Sequence, residues 1–133
     1  MKAVNAKITH GLQKGGWIPT CDNSGAKILR IISFKGYKSV KGRNLCGGVA
    51  DLITASVVKG NPDMRKKVVQ AIIVRQAKEY RRRDGTRIKF EDNAVVVLKD
   101  DKGNLKGTLI KGPVAKEAIE RWSTLSKLAK IVV

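Results

Sequence analysis

The densest run of chemically capable side chains lies between Arg75 and Lys89. Arg75, Lys78, Arg81, Arg82, Arg83, Arg87 and Lys89 are accompanied there by only two acids, Glu79 and Asp84. A guanidinium is planar and can take two phosphate oxygens at once or stack on a base, which an ammonium cannot. Tyr80, beside the arginine triplet, offers a ring on which an unpaired base can stack. A second cluster, Lys35, Lys38, Lys41 and Arg43, is punctuated by Gly36 and Gly42 and has no acid among its members. Arg65, Lys66 and Lys67 form a third, which a solvated turn explains equally well. In an average protein a charge run is a solvated face. Here Lys and Arg number 28 against 11 Asp and Glu, a net charge of +17. No acidic run compensates, so self-repulsion persists unless a polyanion neutralises it. The chemistry on offer is phosphate binding. If ribbon and loop together neutralise about eight phosphates, the logarithmic salt slope for RNA binding is about minus six, at about 0.7 to 0.9 per phosphate.

Catalysis has little to stand on. His10 is the only histidine and lies in a polar segment with no nucleophile or orienting carboxylate nearby in sequence. Glu91 and Asp92 are adjacent, so in a strand their side chains point to opposite faces and cannot pair as acid and base. The stretch from Asp22 to Lys27 lacks the GxxxxGK[ST] spacing of a phosphate loop and reads as a turn. Cys21 and Cys46 form no CxxC unit and have no histidine cluster beside them, so both read as small buried hydrophobes rather than zinc ligands. The expectation is therefore no enzyme, no metal and no cofactor. No apolar run of about 18 residues occurs, and Met1 to Gly16 lacks an apolar signal core, which disfavours a membrane partner.

The elements that must position the cations are mostly strands. Trp17 to Cys21 and Lys27 to Phe34 flank the turn-rich Asp22-Asn23-Ser24-Gly25. Gly48 to Lys59 is a third strand, closed by Gly60-Asn61-Pro62-Asp63. Lys67 to Arg75 is apolar almost throughout, as a strand buried on both sides should be. Asp84-Gly85 between extended segments predicts a two-residue hairpin turn, making Gln76 to Lys89 a projecting basic ribbon. Asn93 to Leu98 and Thr108 to Ile110 supply two more strands, separated by the turn at Asp101 to Asn104. After Gly112-Pro113 the apolar period changes to three or four residues through Val114, Ala118, Ile119, Trp122, Leu125 and Leu128, with Pro113 suited to a helix start. The chain thus reads as mainly β, a small five-stranded β-barrel in a single RNA-binding domain over 1-133. An N-terminal extension covers 1-16, the barrel 17-110 with its ribbon at about 75-90, and short helices 113-130. A barrel also removes exposed sheet edges.

A spaced pattern carries a resemblance. Ala71-Ile72-Ile73-Val74, nine residues, Asp84-Gly85, four residues, Phe90, two residues, Asn93, two residues, Val96-Val97 resembles the signature of the universal large-subunit ribosomal protein fourteen family. Asp22 to Lys27 and Gly112 to Glu117 resemble further blocks of the same family, in the same order. The residues before Trp17 and the wording Tyr80-Arg81-Arg82-Arg83-Asp84-Gly85 look more like archaeal or eukaryotic members than bacterial ones. The resemblance implies a five-stranded barrel, a protruding ribbon and a small C-terminal helical region. It also implies a structural role in the cytoplasm, in the ribosome, on the subunit-joining face of the large subunit. The partners it implies are large-subunit rRNA, small-subunit rRNA at intersubunit bridges, neighbouring large-subunit proteins and an anti-association factor at the C-terminal region. Lys27, Lys35, Lys38, Lys41, Arg43, Lys66, Lys67, Arg75, Lys78, Tyr80, Arg81, Arg82, Arg83 and Arg87 form the expected RNA-contacting set. Val114, Lys116, Glu117, Arg121 and Trp122 are the expected protein contacts, although for Trp122 and Ile119 docking of a helix on the barrel is the better account.

Overall fold

In residues 26–34 buried positions recur every two or three residues between less buried ones, the mark of a strand with one wet face, and they form one of the two longest strands. A computed structural model describes residues 1–133. In chain order the elements are β1 (Ala6–Lys7), β2 (Leu12–Gln13), β3 (Trp17–Pro19), β4 (Ala26–Phe34), β5 (Cys46–Gly47), β6 (Leu52–Gly60), β7 (Val68–Arg75), β8 (Tyr80–Arg82), β9 (Arg87–Ile88), β10 (Ala94–Val97), β11 (Pro113–Val114), α1 (Lys116–Arg121), a 3₁₀ turn over Ser123–Lys127, and β12 (Ile131–Val132). No helix is long and apolar enough to cross a membrane.

Five strands make one antiparallel sheet in the order β10-β7-β6-β4-β3. It curls into a half-barrel, the form taken here by the expected five-stranded barrel. The curvature has a visible cause. The β4–β6 register shifts between Ala26 and Ile28, between Ile28 and Leu29, and between Ile31 and Ser33, and each irregularity bends the strand and increases its twist. The two edges then meet where Thr20 bridges Val95 and the Cys21 N–H donates to the Val95 carbonyl at 3.0 Å.

Two apolar cores flank β7 and β10. Ile18, Leu29, Ile31, Phe34, Ile53, Val57, Ala71, Ile73, Val95 and Val97 fill the concave side. Ile72, Val74 and Val96 point the other way and pack with Tyr80, Phe90, Val114, Ala118, Trp122 and Leu125. Residues 71–74 are therefore buried whichever way they point, as their unbroken apolar run predicts, although Val68 at the start of β7 is 63% exposed.

Several boundaries differ from the sequence-based expectation. Pro113 does not start a helix; it lies in β11, which pairs in parallel with β12. The reason is Arg75, whose Nη1 donates to the carbonyls of Lys111 and Pro113 at 2.9 Å each, holding that segment extended. Residues 108–110 make one bridge, Ile110 to Asp22, rather than a strand. Residues 1–16 are woven into the fold: β1 pairs with β8 and β2 with β5.

Candidate nucleic-acid interface

The ribbon is built from β8 and β9, with Tyr80 opposite Ile88 and Arg81 opposite Arg87, and β1 adds a third strand along β8. Its turn is one residue longer than expected. The Arg82 N–H donates to the Thr86 carbonyl at 2.8 Å, leaving a three-residue loop in which Gly85 takes φ +91°. A three-residue hairpin loop needs a residue in that left-handed region, which glycine enters without steric cost. Asp84 accepts from the Thr86 hydroxyl at 2.6 Å and from its N–H at 2.9 Å, and these bonds hold its carboxyl below the usual range. The acid at the tip is thereby committed to the turn.

Strand periodicity divides the arginine triplet. Arg81 points outward, whereas Tyr80 and Arg82 share the opposite face and turn toward α1. Tyr80 is 1% exposed and donates its hydroxyl to Glu117 Oε2 at 2.6 Å. Arg82 places Nε 2.6 Å from Glu117 Oε1 and Nη2 2.6 Å from the Val133 carbonyl. Tyr80 therefore has no ring face to give a base, and Arg82 is engaged internally. Arg75 is likewise turned inward. It is buried, bonds Asp92 through Nε at 2.9 Å and Nη2 at 3.0 Å, and spends Nη1 on the two carbonyls named above. Tyr80, Arg82 and Arg75 thus all bond partners within the fold.

The remaining expected RNA contacts are at the surface. Lys78, Arg81, Arg83 and Arg87 are exposed on the ribbon, with Arg87 Nη1 2.8 Å from Glu79 Oε1 and Arg83 Nη1 3.0 Å from Asn5 Oδ1. Lys35, Lys38, Lys41 and Arg43 are exposed on an irregular loop. Only Lys35 of the four forms an ion pair, with Asp101 at 3.4 Å. That loop is tied at its base by Tyr37, whose ring meets His10 and Phe34 edge-on and whose hydroxyl donates to Asp51. Lys27, Lys66 and Lys67 are also exposed. Across the chain 25 of the 28 Lys and Arg residues are exposed. The three that are not, Arg75, Arg82 and Arg121, each bond a carboxylate.

The expected protein-facing set fares differently. Val114, Glu117 and Trp122 are buried, and Arg121 is half-buried with Nη1 3.0 Å from Asp51 Oδ1. Trp122 donates its indole N–H to the Ala50 carbonyl at 2.8 Å, so it docks the helical region on the barrel. Lys116 alone of the five faces solvent. Exposed apolar surface at this end comes instead from Ile131, Val132 and Val133, between 45% and 55% exposed. Cys21 is buried as expected, and burial pushes its thiol up to about 11; Cys46 is only half-buried, its Sγ 3.8 Å from His10 Nδ1.

A model of the Ribosomal protein L14p/L23e family matches residues 11–133. The chain is 53% identical to the Large ribosomal subunit protein uL14 of Nanoarchaeum equitans over 133 residues, the whole of both chains. It is similarly 50% identical to the protein of that name from Halobacterium salinarum over the whole of both. A third relative of the same name, from Methanococcus maripaludis, is 51% identical over 132 residues, 99% of each chain.

Proposed function

The chain belongs to the Ribosomal protein L14p/L23e family, and from that premise we propose that its exposed cations grip large-subunit rRNA. It is a structural constituent of the large ribosomal subunit and not an enzyme. The contacting set is Lys27, Lys35, Lys38, Lys41, Arg43, Lys66, Lys67, Lys78, Arg81, Arg83 and Arg87, on a rigid half-barrel acting as a single unit. The observation that carries this reading is the sorting of cations: every one without a structural carboxylate to satisfy it is held in solvent. Exposed lysines and arginines on a +17 chain gain most from a phosphate backbone, because each phosphate neutralised releases condensed counterions. Backbone recognition of this kind sets position and reads RNA shape more than base identity.

The test is the salt dependence of binding to large-subunit rRNA. Replacing Arg81, Arg83 and Arg87 by Ala together should flatten the logarithmic salt slope by about 0.7 to 0.9 for each phosphate left without its cation. An Arg75→Ala variant should instead lose stability. A slope indifferent to the triple substitution would remove the ribbon from the interface. The finer partners are read from the family: small-subunit rRNA at intersubunit bridges, neighbouring large-subunit proteins, and an anti-association factor at the C-terminal region, all in the cytoplasm. Lys116 and the exposed Ile131 to Val133 are the side chains available there to a protein partner. Subunits carrying Lys116→Glu, tested by sedimentation for joining and for factor retention, check that assignment.

A further inference from the structure

The strands of the curled sheet contain Lys27, Arg30, Lys59 and Arg75 but no Asp or Glu. Arg75 is turned inward; the other three are exposed. On the same sheet Trp17 stands 60% exposed, on edge strand β3. The registers align it with other residues. Trp17 is opposite Arg30 on β4, Arg30 is opposite Ser56 on β6, and Ser56 is opposite Val68 on β7. Directly opposed residues of antiparallel strands share a face, so these four form a row across the convex side of the sheet. The adjoining row, Pro19, Ile28 and Lys59, brings a second cation. The helical region covers the convex side over Ile72, Val74 and Val96, yet leaves these two rows open.

We propose that this open row is a stacking platform for an unpaired RNA nucleotide, with Trp17 holding the base and Arg30 and Lys59 holding the flanking phosphates. The proposal rests on the rRNA-binding reading and adds a site that the charge clusters do not contain. Edge strands are ordinarily guarded by charge, yet β3 carries none, and its nearest cation across the register is Arg30 on the inner strand β4. A large exposed indole works against such protection, so its position calls for a partner with an apolar flat face. The surrounding charge makes that partner anionic. An unpaired nucleotide offers both, since every base has a π-face and carries phosphates on either side. A duplex offers the phosphates while its base faces are stacked away.

Tryptophan emission reads this directly. The chain has two tryptophans, and Trp122 is buried with its N–H bonded, so acrylamide in solution reaches Trp17 first. Titrating the whole protein with a single-stranded RNA oligonucleotide should quench Trp17 and shield it from acrylamide, while the same sequence annealed as a duplex should do neither. Trp17→Ala should bind the single strand roughly tenfold more weakly with an unaltered salt slope, and Trp17→Phe should keep most of the affinity. Because the indole is exposed, both variants should melt with the parent. Equal single-strand affinity of Trp17→Ala and parent, with emission unmoved while the parent keeps a steep salt slope, would overturn the platform and leave the rRNA reading intact. Failure of the parent to bind any RNA would overturn both.

Discussion

Glu117 gathers three hydrogen bonds on one buried carboxylate, and all of them are structural. At 3% exposure it accepts from the Tyr80 hydroxyl and from two nitrogens of Arg82, tying the ribbon to α1. Burial pushes its carboxyl up, but the bonds from Arg82 and Tyr80 outweigh burial and hold it below the ordinary glutamate value. A depressed folded-state pKa means that the stabilisation is complete above the unfolded value of about 4.5 and is lost as pH falls through the folded one. Asp22 works with the opposite sign. Burial raises its carboxyl despite bonds from the Val97 N–H and the Ser24 hydroxyl, so it favours the fold when protonated and loses that contribution as pH rises through its raised pKa. Removing the Glu117 charge by Glu117→Gln should cost about 2 kcal/mol at neutral pH, since an acceptor for Tyr80 survives while the charge-assisted bonds to Arg82 do not. Thermal melts across pH 3 to 7 check this: the gap between variant and parent should close on the acid side, and a constant gap would mean that the Glu117 carboxyl is not depressed. None of this clamp is legible in the sequence as charge. What the sequence does carry is the period: Tyr80 and Arg82 are two apart in a strand, and a tyrosine on one face is a cue that the arginine beside it points inward too.

At the scale of elements, the ribbon depends on a segment that sequence patterns assign to nothing. β1 is two residues long, too short to show alternation, yet it pairs Ala6 with Arg82 and Lys7 with Arg81. Deleting residues 1–8 should therefore leave the five-stranded sheet intact and loosen the ribbon. Hydrogen exchange of the Tyr80–Arg82 amides should speed up while the Ala71–Val74 amides keep their protection. Uniform acceleration would mean that the N-terminal segment supports the whole barrel. Strands β4, β6 and β7 were readable because each is eight or nine residues of consistent pattern bounded by turn residues. Arg75 shows the limit of such reading. Its partners, Asp92, Lys111 and Pro113, lie 17 to 38 residues away, and only the folded topology brings them to one guanidinium. The same long-range bonds displaced the helix start from Pro113 to Lys116.

For the molecule as a whole the governing quantity is the balance between repulsion and pairing. Six ion pairs oppose a net charge of +17. Three of them, Lys35 with Asp101, Arg87 with Glu79 and Lys116 with Glu120, have both side chains more than 40% exposed, and such pairs contribute about 0 to 1 kcal/mol each and are screened by salt. The pairs of Arg75, Arg82 and Arg121 place each guanidinium at 19% exposure or less, where screening reaches poorly. Added salt therefore weakens the dispersed repulsion among 25 exposed cations while sparing the attractions that close the fold. The free protein should melt at a higher temperature as sodium chloride is raised from about 50 mM to about 500 mM, over which the Debye length falls from about 14 Å to about 4 Å. Its affinity for rRNA should fall over the same range. Opposite responses to one variable follow only if the exposed cations are mutually repulsive when free and neutralised when bound. A melting temperature that fell with salt would mean that the surface pairs outweigh the repulsion, and a polyanionic partner would then have no stored repulsion to relieve.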